Sequence, residues 1–491
     1  MIPPQRILTR NEQPRRPDGD WVVYWMMAAR RPGWNFGLQR AIEAADSLGK
    51  PLVVVEALSA SYPWASARHS AFVLEGMRHQ AEAFANKPVL YHPYAEPEVG
   101  AGRGLIEAWA ERACLVVTDH WPCLELPRWQ RKVAAQIGVR MEAIDSCGIM
   151  PLQATPRAFP TAHAFRRFLQ KELPSHLGDL PKPDPFVGAK LPKAPAMPKG
   201  IHKQWPAADL SDPRALAQAL PIDQAVEPVE VRGGAAEASA RMVEFLDERL
   251  DSYTERNRPD VLASSGLSPW FHFGHASPHE LLFRLAQRVG WSPADVEVGG
   301  NGSREGWWRM PAAAESFLDE LITWRELGHV LCHHVPNYGA YEELPPWAVA
   351  TLEEHATDPR PHTYTLEQFE RAETHDPLWN AAQMQLREEG IIHNYLRMLW
   401  GKKILHWTRS PREALEVMVH LNNRWALDGR DPNSWAGIMW VLGRFDRAWG
   451  PERPVFGKVR YMTSDNTARK YNVKAYVARY QPAKQPALFE E

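Results

Sequence analysis

The sequence predicts an α/β N-terminal domain with a parallel, Rossmann-like sheet, followed by an all-α C-terminal domain. Three observations carry this. Short, nearly continuous apolar runs alternate with amphipathic stretches over residues 21–151. A proline- and lysine-rich segment breaks the pattern at 152–235. From residue 236 onward, apolar residues recur at helical spacing. Apolar runs set between amphipathic stretches indicate parallel strands covered by helices. A 3.6-residue period indicates helices that each bury one face.

In chain order, strands are expected at WVVYWM (21–26), PLVVVEAL (51–58), PVLYHP (88–93), CLVVTD (114–119) and VRMEAID (139–145). Helices are expected between them at 37–48, 68–85 and 105–113. No GxGxxG follows the first strand, so no dinucleotide site is assigned here. LPKPDPFVGAKLPKAPAMPKG (180–200) reads as a connector that wraps or wanders rather than packs, with a helix expected over 161–173. The later helices include 238–253, 315–331, 386–405 and 411–425, and 290–312 reads as a loop inserted between two of them. The expected domains are 1–151, 152–235 and 236–480.

Composition narrows the function classes. With 491 residues, 44% hydrophobic and 24% charged, the chain has the profile of a soluble globular protein of two or three domains. Four cysteines without CxxC spacing argue against a disulfide framework or zinc site and for a reducing compartment. The N-terminus lacks an apolar signal segment, and no apolar run is long enough to span a membrane. A cytoplasmic protein without a metal is therefore expected. Net charge is −2, yet between Arg424 and Arg479 eleven basic residues face five acidic ones, a local +6. Such a face can bind phosphates within a nearly neutral protein, or it can be an ordinary solvated surface.

Several constellations could carry chemistry. Residues 421–462 mix tryptophan, arginine and asparagine, too polar for an ordinary core and too aromatic for an ordinary surface. That mixture suits a flat polar cofactor beside a flat aromatic ligand. Ser264, Ser265 and Ser268 form a hydroxyl-rich turn that can hold a diphosphate, or simply cap a helix starting near Pro269. Trp400 and Trp407 are seven apart, on one helix face about 10.5 Å apart along the axis. They and Trp379 form either a core trio or an electron path. Glu320 and Trp324 share a helix face at i, i+4.

These segments, with YTERNRPDVLASSGLSPWFHFG (253–274), HDPLWNAAQ (375–383) and HNYLRMLWGKKILHW (393–407), resemble the flavin domain of DNA photolyases. The resemblance is to the class II cyclobutane-pyrimidine-dimer photolyases in particular, and it runs from about Trp21 to Tyr471. It implies a cofactor, FAD, contacted by Tyr253, Ser264, Ser265, Leu267 and Ser268. It implies that Arg397 and Asp428 pair beside the flavin ring, that Asn422 faces its N5, and that Asp431 is a further cofactor contact. Trp379, Trp400 and Trp407 match the chain that relays an electron from the surface to photoexcited oxidised flavin. Glu320, Trp324, Met398 and Trp440 match residues that contact a flipped dimer, with Asn394 close by. The first domain in this family often carries an antenna pigment, whose presence and identity the sequence leaves open.

The implied function is light-driven repair of pyrimidine dimers in damaged DNA, by a monomer, through one electron lent by excited reduced FAD. Glu320 would hydrogen-bond a thymine carbonyl and stabilise the dimer radical anion. The alternative is a cryptochrome-like photoreceptor, or a photolyase-like flavoprotein that binds DNA without repairing dimers. Glu320, Met398, Trp440 and the short stretch beyond Tyr480 favour repair. Departures from the family pattern are Gly266, where asparagine is usual, the loosely matching RPGWNFGL (31–38), Trp425 and Trp435, where tyrosine is common, and the insertion at 290–312.

Overall fold

The computed structural model describes residues 1–481; residues 482–491, and with them most of the stretch beyond Tyr480, lie outside the described residues. The chain packs as two units. The first comprises Met1–Asp251, Ser265–Pro336 and Arg430–Asn433, and the second Ser252–Ser264, Asn337–Gly429 and the chain from Ser434 onward.

The first unit is built on a six-stranded sheet of order β1-β6-β5-β2-β3-β4. The strands are β1 (Ile7–Thr9), β2 (Trp21–Met26), β3 (Leu52–Leu58), β4 (Val89–Ala95), β5 (Ala113–His120) and β6 (Met141–Asp145). All neighbours pair in parallel except β1, which runs antiparallel to β6 with Ile7 opposite Ile144. Every residue of β2, β5 and β6 is buried, as expected of strands covered on both faces. The five strands read from sequence are present within two residues at each end, and the α/β class stands. Edge strand β1 went unread, because three residues are too few to show a period.

The connector packs more than expected. The helix Ala162–Glu172 is capped by Thr161, and Pro213–Ala219 lies against Ala67–Phe84. Phe186 packs on Phe84, and Lys87 pairs with Asp184 at 2.7 Å. The helices between Ala235 and His334 also belong largely with the sheet. Their aromatic residues pack on the helix Ala67–Phe84: Phe72 meets Trp270, Phe273 and His275 at 5.1–5.7 Å. Contacts thus divide the chain differently from the contiguous scheme 1–151, 152–235 and 236–480.

The second unit is helical. Its principal helices are Pro346–Glu354, Pro377–Glu389, Asn394–Trp407 and Pro411–Trp425. The starts of Pro377–Glu389 and Pro411–Trp425 have a sequence reason. Asp376 accepts from the backbone N–H groups of Leu378 and Trp379, and Ser410 from that of Glu413. Proline occupies the first turn after each cap, where no intrahelical donor is lost. The core includes Phe369, Trp379, Leu386, Trp400, Ile404, Trp407 and Met418. All four cysteines are buried, and none forms a disulfide. Among the described residues no helix is long and apolar enough to cross a membrane, and no cluster could hold a metal ion.

Candidate active site

In the helical unit, Arg397 grips Asp428 with two parallel bonds, Nη1 to Oδ2 at 3.1 Å and Nη2 to Oδ1 at 2.9 Å. Arg397 sits one turn into its helix, and Asp428 lies on the turn that ends Pro411–Trp425. That turn depends on Gly429, because a Cβ there would lie 2.6 Å from the carbonyl oxygen of Asn422. The fork geometry is the strong form of a charged pair. Nε of Arg397 is buried without a protein acceptor. Asn422 is buried, its amide donating to Ser434 Oγ at 2.6 Å. A buried donor beside a carboxylate and an amide fits an acceptor-rich heteroaromatic group such as a flavin.

The three tryptophans converge in the same unit. Trp379 stacks on Trp400, centroids 6.4 Å apart and planes 2° apart. It meets Trp407 edge-on at 6.0 Å and 70°. The indole of Trp379 donates to the carbonyl of Trp400 at 3.0 Å, and that of Trp400 to Gln383 at 2.9 Å. The order is therefore Trp400, Trp379, Trp407, which spacing alone left open. Gln383, the last residue of the NAAQ string, went unassigned from sequence. Also in this unit, Tyr253 is buried, Met398 and Trp440 are half-buried, and Asn394 and Ser264 are exposed.

The first unit holds the other candidates. Leu267 is buried, Ser265 Oγ accepts from the Leu267 N–H at 3.4 Å, and Ser268 opens a short helix. Gly266 between them has φ +66°, a left-handed conformation in which asparagine is the best-tolerated alternative. Asp431 is buried and engages His272 Nδ1 at 3.4 Å and the N–H of Asn433 at 2.8 Å. Burial alone would raise its pKa, but the His272 bond and the charges of His329 and Arg325 hold it below the usual carboxylate value.

Glu320 and Trp324 lie on a π-helical segment, Asp319–Trp324, not on the regular α-helix expected. The wider winding changes which residues align, and such segments recur at functional sites. It is pinned from the connector: Arg166 makes a buried bidentate pair with Asp319 at 2.7 and 2.9 Å. Arg166 and Gln170 also bind the Gly302 and Ser303 backbone, so the 290–312 insertion is docked on the same helix. No sequence signal pointed to Arg166.

The sheet's carboxyl edge opens a cavity of about 1100 Å³. Its lining includes Tyr62, His69, Glu96, Trp121, Trp129 and Arg430. The turn leaving β2 is shaped there by Asp119, which accepts from three successive N–H groups, Met27, Ala28 and Ala29, at 2.8–2.9 Å. This is the topological switch point between β2 and β5, where ligands bind in open α/β sheets.

No family model matches the chain. A deoxyribodipyrimidine photo-lyase of Methanothermobacter thermautotrophicus is 35% identical to it over 483 residues, covering 98% of each chain. This chain belongs to the deoxyribodipyrimidine photo-lyase family. Photo-lyases of Potorous tridactylus (35% over 469 residues, 94% of this chain and 81% of that one) and Arabidopsis thaliana (34% over 477 residues, 93% and 88%) agree. A bacterial class III photolyase from Agrobacterium tumefaciens shares the fold at TM-score 0.68 and 18% identity, covering 94% of this chain and 86% of its own. Membership in the photolyase family makes the chain an enzyme, a lyase and flavoprotein of DNA repair.

Proposed function

We propose that this chain is a light-driven lyase of class II type that splits cyclobutane pyrimidine dimers in damaged DNA, with FAD as its cofactor. The observation that carries the reading is the Arg397–Asp428 fork in the same unit as the Trp400–Trp379–Trp407 stack. Reduced FAD, when bound and excited, supplies the electron that opens the dimer.

The chain's own groups do the rest. Arg397 holds positive charge where a reduced, anionic ring would sit, and Asp428 fixes its orientation. Asn422 offers an amide that can donate or accept. Tyr253, Ser264, Ser265, Leu267 and Ser268 hold the remainder of the cofactor. Glu320 donates or shares a proton with a thymine carbonyl, and Trp324, Trp440 and Met398 supply flat apolar walls, with Asn394 nearby. The tryptophan stack returns oxidised cofactor to its working state. Arg447, Arg453, Lys458 and Arg460 are exposed and suit phosphate contact. Tyr62 and Trp129, 5.7 Å apart in the first unit's cavity, suit a flat antenna pigment. The named relatives are repair lyases, which favours repair over a photoreceptor.

The test is to denature the purified protein and identify the released cofactor. About one FAD per chain is expected. A folded, colourless preparation that releases no flavin overturns the reading.

A further inference from the structure

Gln383 is fully buried, at 0% exposure, and bridges Trp400 to the segment that carries Glu370. Its Oε1 accepts from the indole N–H of Trp400 at 2.9 Å, and its Nε2 donates to the backbone carbonyl of Glu370 at 3.4 Å. The two partners fix which way the amide points, because an indole only donates and a carbonyl only accepts. The indole N–H of Trp379 likewise ends on the backbone carbonyl of Trp400, at 3.0 Å. Both rings are buried, Trp400 at 3% and Trp379 at 1% exposure. The carboxylate of Glu370 is engaged elsewhere, by Arg424 and by the indole of Trp425. Each of the two stacked indoles therefore donates to an amide oxygen, which accepts a hydrogen bond and cannot keep a proton.

We propose that Gln383 is a positioning residue that keeps Trp400 protonated while charge passes through it. The proposal rests on the reading of Trp400, Trp379 and Trp407 as an electron relay. Trp400 is the inner end, one turn after Arg397 on the same helix face. On giving up one electron, Trp400 becomes a radical cation, and one electron from Trp379 makes it neutral again. No bond to hydrogen breaks at either ring.

The amide does two things. Its oxygen stabilises positive charge on the indole, in a buried setting where solvent cannot do so. It also offers no base. Oxidised indole N–H groups are acidic, and a carboxylate in the same place takes the proton: the N–H bond breaks, an O–H bond forms, and a neutral tryptophanyl radical remains. Refilling that radical with an electron alone yields an indole anion, strongly basic and costly in a buried site. The charge then stops at Trp400 instead of reaching Trp379. An apolar side chain fails in the other way, because it leaves a buried N–H without an acceptor and the cation without a dipole. Glutamine meets both demands.

The experiment is flash excitation of the oxidised holoprotein followed by transient absorption, which separates tryptophan radical cations from neutral radicals by their spectra, scaled to bound cofactor. The first tryptophan radical of the parent should be a cation. Gln383→Leu should lower the radical yield several-fold. Gln383→Glu, read at a pH where its infrared band shows the carboxylate ionised, should give a neutral radical first. Melting temperature and cofactor content are recorded for each variant, since a purely structural role moves those and leaves the protonation of the radical unchanged. Trp400→Phe separates the two levels. If Trp400→Phe stops radical formation while Gln383→Leu gives the parent yield, the role of Gln383 is overturned and the relay stands. A cation of parent lifetime beside the ionised carboxylate of Gln383→Glu overturns it equally. If Trp400→Phe changes nothing, the relay reading falls and the role of Gln383 with it.

Discussion

Trp379 and Trp400 lie parallel within 2°, on different helices, and the indole of the first is hydrogen-bonded to the carbonyl of the second. Core tryptophans need no such alignment, whereas electron transfer benefits from fixed overlapping rings. Trp379→Phe keeps an apolar ring that is much harder to oxidise. Photoreduction of oxidised cofactor should slow sharply, while repair by chemically reduced protein should persist. An unchanged photoreduction rate would leave the stack as core packing alone.

Asp428→Ala should release cofactor and destabilise the protein. It strands a guanidinium whose side chain is only 25% exposed. That exposure lowers the expected cost to about 2–4 kcal/mol, below the range for a fully buried pair. Thermal melting and flavin content measure it, and a parent-like value for both would contradict the assigned role.

Gly266 marks a backbone requirement. Its φ of +66° suits glycine or asparagine, and the space around a Cβ is open, with Arg241 Nε nearest at 3.9 Å. Gly266→Asn should change stability by less than about 1 kcal/mol, whereas Gly266→Val should cost about 1–2 kcal/mol. Restoring the amide should also tighten dimer binding. Equal melting temperatures for the two variants would refute the backbone argument.

Acid should destabilise the fold. Burial pushes the pKa of His120 down to about 3 and those of His92, His329, His393 and His406 to about 4. Between those values and the ordinary histidine value, the unfolded chain binds protons that the folded chain refuses. Stability therefore falls as pH drops through that window. Glu56 and Glu326, pushed up to about 7 by burial, act in the opposite sense between about 4.5 and 7. Five histidines outweigh two carboxyls, so the melting temperature should fall from pH 6.5 to 5. A rise over that interval would show the carboxyls dominate.

Legibility followed physics. Strands such as Trp21–Met26 were readable because burial on both faces leaves only apolar residues. The Arg397–Asp428 pair and the tryptophan trio were readable as motifs, but their order and stacking depend on how helices dock. The π-helical segment under Glu320 and its anchor Arg166 were invisible, since the winding is set by a partner 153 residues away. The serine turn was read as one object, yet Ser264 falls in one unit and Ser265 in the other. A local pattern carries no information about where the contacts of its two halves go.

Illuminating the reduced holoprotein with an oligonucleotide that carries one thymine dimer, and measuring restored thymines, decides whether this chain repairs dimers. Light-dependent repair by the parent is expected, with a several-fold lower yield for Glu320→Ala at unchanged cofactor content. Light-independent product, or no restored thymine from flavin-loaded protein, would contradict it.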